Sequence, residues 1–288
     1  MALDYGVQIS LSLFTKIMVA AAVAVLSGCA ANDSVNLESR AISVNQNAEP
    51  AGADGQVAAA SVAHLLPSTG PTYVTLTVSE QDSTQSVSKA DYAKSAITSG
   101  SGFLVSDDGY VMTAAHVAVA KGNTISARAA NGRIYSGSVV GILPANDMAV
   151  IKLRGFTGRS VAPASPGCLA KGDLVYTLGK PHGEGDTARV GALESRHFGR
   201  PVVYGKFGYP DALVLHMGTQ KGESGGPVFD GNGKLVGMVV STLSDTNGQS
   251  INLAHAIPAT SLANFLCTQT SCGSNWSALA AKQTDSCG

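Results

Sequence analysis

Beyond Gly70 the chain breaks into short β-prone runs, each closed by a turn signal, with no long amphipathic stretch between them. Tyr73, Thr75 and Thr77 alternate with Val74, Leu76 and Val78, the period of two expected of a half-buried strand. GSGFLVS, YVMTAAHV, TISARAA, YSGSVVGI, DMAVIKL, DLVYTLG, DALVLHM, GPVF, KLVGMVVS and INLAHAIP follow, with DDG, NGR and DGNG among the turns that separate them. Regular strands without intervening helices predict an all-β fold, as antiparallel barrels or a sandwich. The segment SPGCLAKGD, residues 165–173, is the expected joint between two units, and ATSLANFL after Pro258 is expected to be a terminal helix with Leu262, Phe265 and Leu266 on one face.

The first 67 residues read differently. Lys16 precedes the apolar run IMVAAAVAVL, residues 17–26, which is too short to span a bilayer but suits the core of an export signal. Residues 30–67 are rich in Ala, Ser, Asn, Gln and Gly without a sustained period and read as a flexible tether. Only 14% of the 288 residues are charged and the formal net charge is -1, so the chain carries no electrostatic footprint for nucleic acid. Export also sets the redox compartment: Cys168, Cys267, Cys272 and Cys287 are expected in disulfides, with three pairings open. Their spacing lacks a CxxC pair with nearby histidines, so no metal site is expected.

The stretch KGESGGPVF, residues 221–229, sets Ser224 among glycines. A serine hydroxyl is a weak nucleophile unless a base removes its proton, and the base needs a carboxylate to orient it. Two further segments supply these groups. In GYVMTAAHV, His116 follows a strand, and in NDMAVIKL, Asp147 opens one. Each segment alone would read as a core histidine, a turn carboxylate or a glycine turn, and only their joint order on an exported β-rich chain points to chemistry.

Those three segments resemble the trypsin-like, chymotrypsin-fold serine peptidases, and within them the bacterial HtrA/Deg-like branch. GSGFLVSDDGYVMTAAHV resembles the approach to the catalytic histidine, DMAVIKL the segment of the aspartate and GESGGP the nucleophile turn. The similarity runs from about residue 68 to 266. It implies two six-stranded antiparallel β-barrels, barrel one at about 68–164 and barrel two at about 168–258, then a C-terminal helix at 259–266 and a cysteine-containing tail at 267–288. It also implies His116 as general base and acid, Asp147 as its orienter and Ser224 as nucleophile. The backbone amides of Gly222 and Ser224 would form the oxyanion hole, and no cofactor would be needed. LSGC, ending at Cys29, resembles the lipobox of bacterial lipoproteins, so residues 1–29 are expected to be a lipoprotein signal with Cys29 lipidated, and Ala30 resembles an outer-membrane sorting signal.

Specificity follows from the same resemblance. Gly218 stands where enzymes that cleave after Arg or Lys place an aspartate, which argues against basic specificity. Thr219, Ser241, Thr242 and Leu243 are expected to wall the substrate pocket, suited to a small or medium aliphatic side chain, with His255 a possible reader of an acidic one. Polypeptides, unfolded proteins among them, are the expected partners. The cysteine pairing expected is Cys168 with Cys267 and Cys272 with Cys287. Three departures stand out: Glu223 replaces the usual Asp or Asn before the nucleophile, Val240 replaces a common Ser or Thr, and the PDZ domain usual after an HtrA protease is not expected within these residues. They keep open a rival reading, a tethered binding or chaperone-like module with little turnover.

Overall fold

The computed structural model describes residues 42–45, 53–80 and 96–282. Expectations for residues 1–29, Cys29 among them, and for Cys287 lie outside the described residues. Described strands are β1 (Ser43–Asn45), β2 (Tyr73–Ser79), β3 (Ala96–Leu104), β4 (Tyr110–Thr113), β5 (Thr124–Ala129), β6 (Ile134–Leu143) and β7 (Met148–Leu153), then β8 (Leu174–Gly179), β9 (Thr187–Ser195), β10 (Val202–Tyr204), β11 (Phe207–Tyr209), β12 (Leu213–His216), β13 (Pro227–Asp230), β14 (Leu235–Ser244) and β15 (Ser250–Pro258). Strands β2 to β7 close a barrel in the ring order β2-β3-β4-β7-β6-β5. The alternation read in residues 73–78 is realised there, with Val74, Leu76 and Val78 buried and Thr75 and Thr77 half-buried.

A second ring runs β9-β12-β15-β14-β13-β8 and is closed by pairing of β8 with β9. The fold is therefore two six-stranded antiparallel barrels, as the resemblance implied. Between β9 and β12 the chain makes a hairpin, β10 paired with β11 around Gly205 and Lys206. Gly205 takes a positive φ of 60°, which a two-residue hairpin turn favours and glycine adopts without steric cost. The strand β1 adds in parallel to β9, Asn45 opposite Arg189, along a part of β9 that β12 does not reach.

Three boundaries need correction. The span 30–67 is not a tether throughout: besides β1, residues 53–69 form the helix α1 (Ala53–Thr69). Its Val62 is fully buried, and the Tyr176 hydroxyl of β8 donates to Thr69 Oγ1 at 3.2 Å, which anchors the end of the helix on barrel two. The terminal helix α3 (Ala259–Gln269), which follows a one-turn helix α2 (Ala115–Ala118) in barrel one, runs beyond residue 266. The tail then forms α4 (Ser274–Ala280), which buries Trp276 and Leu279. Trp276 Nε1 donates to the Val105 carbonyl at 3.0 Å, so this end of the chain packs on barrel one.

The expected cysteine pairing also fails. Cys267, in the last turn of α3, is bonded to Cys272, because the chain reverses between α3 and α4 and carries residue 272 back to the helix end. Neither Cys168–Cys267 nor Cys272–Cys287 can then form, although Cys168 is itself disulfide-bonded as expected. Among the described residues no helix is long and apolar enough to cross a membrane.

Candidate active site

Pairing of β4 with β7, Thr113 opposite Ala149, sets the start of β7 beside the end of β4. Asp147 lies at the end of a short turn, Pro144–Asn146, with φ 50° and ψ 43°. This left-handed conformation is uncommon outside glycine, and Asp and Asn tolerate it best. From there the fully buried carboxylate grips His116 at two points. Oδ1 accepts the backbone amide of His116 at 2.9 Å, and Oδ2 accepts from the ring Nδ1 at 2.8 Å. The Ala115 amide donates to the Asp147 carbonyl at 3.1 Å, completing the attachment of α2 to that turn. With its Nδ1 proton committed to Asp147, the imidazole keeps a lone pair on Nε2, the form a general base requires.

Asp147 has a third donor that the sequence did not reveal. Tyr204, on β10 of the hairpin, donates its hydroxyl to Oδ2 and sits 3.3 Å from His116 Nδ1. Burial and the neighbouring Asp147 charge both push the Tyr204 hydroxyl well above the ordinary tyrosine range, so it stays a protonated donor. Val240, at the position where a hydroxyl was expected to be lost, is buried and offers Asp147 no hydrogen bond. The side chain that fills the role comes from a different segment.

Ser224 lies on the turn between β12 and β13. Gly222 has φ +99°, and a Cβ there would come within 2.4 Å of the Lys180 carbonyl, so only glycine fits. Barrel one supports the turn from below: Ser101 donates its amide to the Ser224 carbonyl at 2.9 Å and its hydroxyl to the Gly222 carbonyl at 2.8 Å. A side chain at Gly100 would strike both Val117, next to His116, and the Ser224 carbonyl, which shows how closely histidine segment and nucleophile turn converge on β3. Among the described residues no hydrogen bond joins Ser224 Oγ to His116, and neither the Gly222 nor the Ser224 amide donates to an acceptor in the chain. Catalytic hydrogen bonds are commonly long before substrate binds.

The family model described as a trypsin-like peptidase domain matches residues 100–238. That span holds His116, Asp147, Ser224 and the turns that carry them. Residues 100–238 are therefore similar to a trypsin-like peptidase domain. The chain is 35% identical over 166 residues to a probable periplasmic serine endoprotease, DegP-like, of Bartonella henselae, covering 57% of this chain and 31% of that protein. It thus spans about a third of the length of the curated relatives it matches. Among solved structures, the HtrA-type protease AlgW with a tripeptide has a TM-score of 0.58 at 23% identity, with 72% of this chain and 64% of that one covered. The protease Rv3671c in an inactive form has a TM-score of 0.55 at 22% identity, covering 71% and 92%. Both likenesses concern the fold.

On the far side of the serine turn, the second barrel brings together most of the residues expected to wall the pocket. The hydroxyls of Thr219 and Thr242 are 2.6 Å apart, and Thr242 Oγ1 donates to the Thr219 carbonyl at 3.0 Å. A Cβ at Gly218 would lie 2.8 Å from Asn252 Oδ1, so the glycine allows close approach of β15. Ser241 is half-buried and bonded to the Tyr209 hydroxyl at 2.8 Å, and Leu243 is half-buried on the same strand. Among the described residues no group of three or more His, Cys, Asp or Glu is placed to hold a metal ion.

His255 is fully buried behind Ser241, with Nδ1 2.8 Å from the Tyr209 hydroxyl, its ring centroid 4.2 Å from that of Phe198, and Nε2 without a hydrogen-bond partner. Burial lowers its pKa to about 4. Between the unfolded value near 6.5 and about 4, the unfolded chain binds a proton that the folded one refuses. Stability is therefore retained above pH 6.5 and falls as pH drops through this window, by up to about 3 kcal/mol. His255→Phe, which keeps a ring beside Phe198, should shift the melting temperature at neutral pH but flatten its decline between pH 6.5 and 4. Parallel melting curves for variant and wild type across that range would refute the assignment.

Proposed function

We propose that the protein is an exported serine endopeptidase working through Ser224, His116 and Asp147. The observation that carries this reading is the two-point grip of Asp147 on His116 beside a glycine turn bearing Ser224. Ser224 Oγ attacks a peptide carbonyl while His116 Nε2 takes its proton. Asp147 stabilises the imidazolium, and the Gly222 and Ser224 amides receive the charge developing on the carbonyl oxygen. His116 then returns the proton to the leaving amine, and water, deprotonated by the same imidazole, hydrolyses the acyl-enzyme.

The names of the DegP-like relatives support a periplasmic site of action, and the LSGC segment supports attachment to a membrane through lipid at Cys29. Unfolded polypeptides of the cell envelope are the proposed substrates, taken as an extended strand along the edge near Ser241–Leu243. A fluorophosphonate probe should label the purified protein on Ser224, and the protein should cleave unfolded casein. Labelling mapped to another residue, or intact casein after prolonged incubation, would refute the proposal.

Tyr204 belongs to this machinery as a positioning residue. Tyr204→Phe removes one donor to a buried carboxylate, an interaction between charged and polar groups that is worth about 1.5 kcal/mol or more. That converts to a fall in kcat of about tenfold. KM should change little, because the bond lies behind the imidazole and away from substrate. Unchanged kcat would limit Tyr204 to packing the hairpin.

A further inference from the structure

Glu223 sits between the two amides proposed to form the oxyanion hole, and its side chain is fully buried. Both carboxylate oxygens accept from Arg189 Nε, at 2.6 and 2.7 Å, and Oε2 also accepts from the Gln220 amide. Arg189 Nη2 donates to Gln220 Oε1 at 2.8 Å, so one guanidinium holds both ends of the turn from Gln220 to Glu223. The turn is closed on itself by the Glu223 amide donating to the Gln220 carbonyl at 3.1 Å and the Gly226 amide to the Glu223 carbonyl at 2.9 Å. The protein has made room for this side chain. A Cβ at Gly179 would fall 2.6 Å from Glu223 Cγ, the methylene by which glutamate exceeds aspartate. The strand that presents Arg189 is held on both edges, Thr177 of β8 opposite on one side and Asn45 of β1 on the other.

Resting on the peptidase reading above, we propose that Arg189 is a positioning residue that holds the oxyanion turn in its working form through Glu223. A guanidinium stays charged at any pH at which the enzyme works. The turn is therefore set once the chain folds, by side chains already in place. A buried carboxylate that loses its cation is strongly destabilised where it stands and drives local rearrangement. In this protein the rearrangement would fall on the amides of Gly222 and Ser224.

The test uses the full chain with a chromogenic peptide substrate and a peptide boronate, whose tetrahedral serine adduct probes the transition-state geometry. Arg189→Met should lower kcat about 100- to 1000-fold, the loss typical of a missing oxyanion donor, while KM stays within about threefold. Boronate affinity should fall in parallel with kcat. Arg189→Lys, which keeps the charge without the fork, should recover part of the loss. So should Glu223→Gln in the Arg189→Met background, which removes the stranded charge. Hydrogen exchange of the segment 218–226 should quicken in Arg189→Met while the rest of the fold is unchanged. Folded Arg189→Met with near wild-type kcat and boronate affinity, or a variant that loses KM alone, would overturn the proposal. A wild-type protein that neither turns over substrate nor binds boronate would instead refute the peptidase reading, and the exchange measurement would still decide whether Arg189 holds the turn.

Discussion

Ser224→Ala should reduce kcat by about a millionfold while leaving the fold and the melting temperature nearly unchanged. The hydroxyl is the only group the substitution removes, and no neighbouring side chain relies on it for a hydrogen bond among the described residues; the contacts that shape the turn run through the backbone of residues 222–226. What survives should be a residual rate of about 10³- to 10⁴-fold over water, contributed by substrate binding and the oxyanion amides. The measurement is a progress curve at high enzyme concentration with a fluorogenic peptide, alongside loss of fluorophosphonate labelling. A variant that retains more than a few per cent of wild-type activity would place the nucleophile elsewhere.

Asp147→Asn should cost on the order of 10⁴-fold in kcat. Asparagine tolerates the left-handed backbone at this position as well as aspartate does, so the turn at Pro144–Asn146 should survive. The electrostatic consequences are larger. A carboxylate here accepts from the His116 amide, from His116 Nδ1 and from Tyr204, whereas a carboxamide has one acceptor oxygen and a donor nitrogen to distribute among three donors. Any placement of that amide leaves the imidazole either in the wrong tautomer or loosely held, and the imidazolium formed during attack loses its counter-charge. Activity should recover partly at high pH, where hydroxide assists deprotonation of Ser224. Retention of wild-type kcat at neutral pH would show that another group orients His116.

These two experiments concern the part of the molecule that was most legible in the sequence. His116, Asp147 and Ser224 each sit in a local pattern, a strand end, a strand start and a glycine turn, whose form can be read from adjacent residues. The barrels were legible for the same reason, since alternation in residues 73–78 is a local property. What escaped is long-range. Tyr204 lies 57 residues from Asp147, and its approach depends on a hairpin whose cue, VVY and FGY flanking Gly205–Lys206, was visible but unread. Glu223 was noted as a departure, but its partner Arg189 is 34 residues away and on another strand. Cysteine spacing does not determine pairing, and the reversal after Gln269 that joins Cys267 to Cys272 required the fold.

The helix α1 was missed for a different reason. Its sequence, ADGQVAAASVAHLLPST, is rich in alanine, which favours helix, but Val57, Ala60 and Ala63 put apolar residues on its exposed face as well, so the stripe through Ala59, Val62 and Leu66 has little contrast. Ala59, Val62, Leu65 and Leu66 pack it on the body and Thr69 accepts from Tyr176, but a buried face made partly of alanine gives little pattern to read.

The two ends of the described chain are fastened crosswise. The N-terminal strand β1 joins the later barrel through β9, and the C-terminal Trp276 reaches back to Val105 in the earlier one. Parting the barrels would therefore mean stretching the link from α1 to β2 and freeing Trp276 from Val105. A nick in either strap should lower the force needed to part them, long before it touches any group that handles substrate.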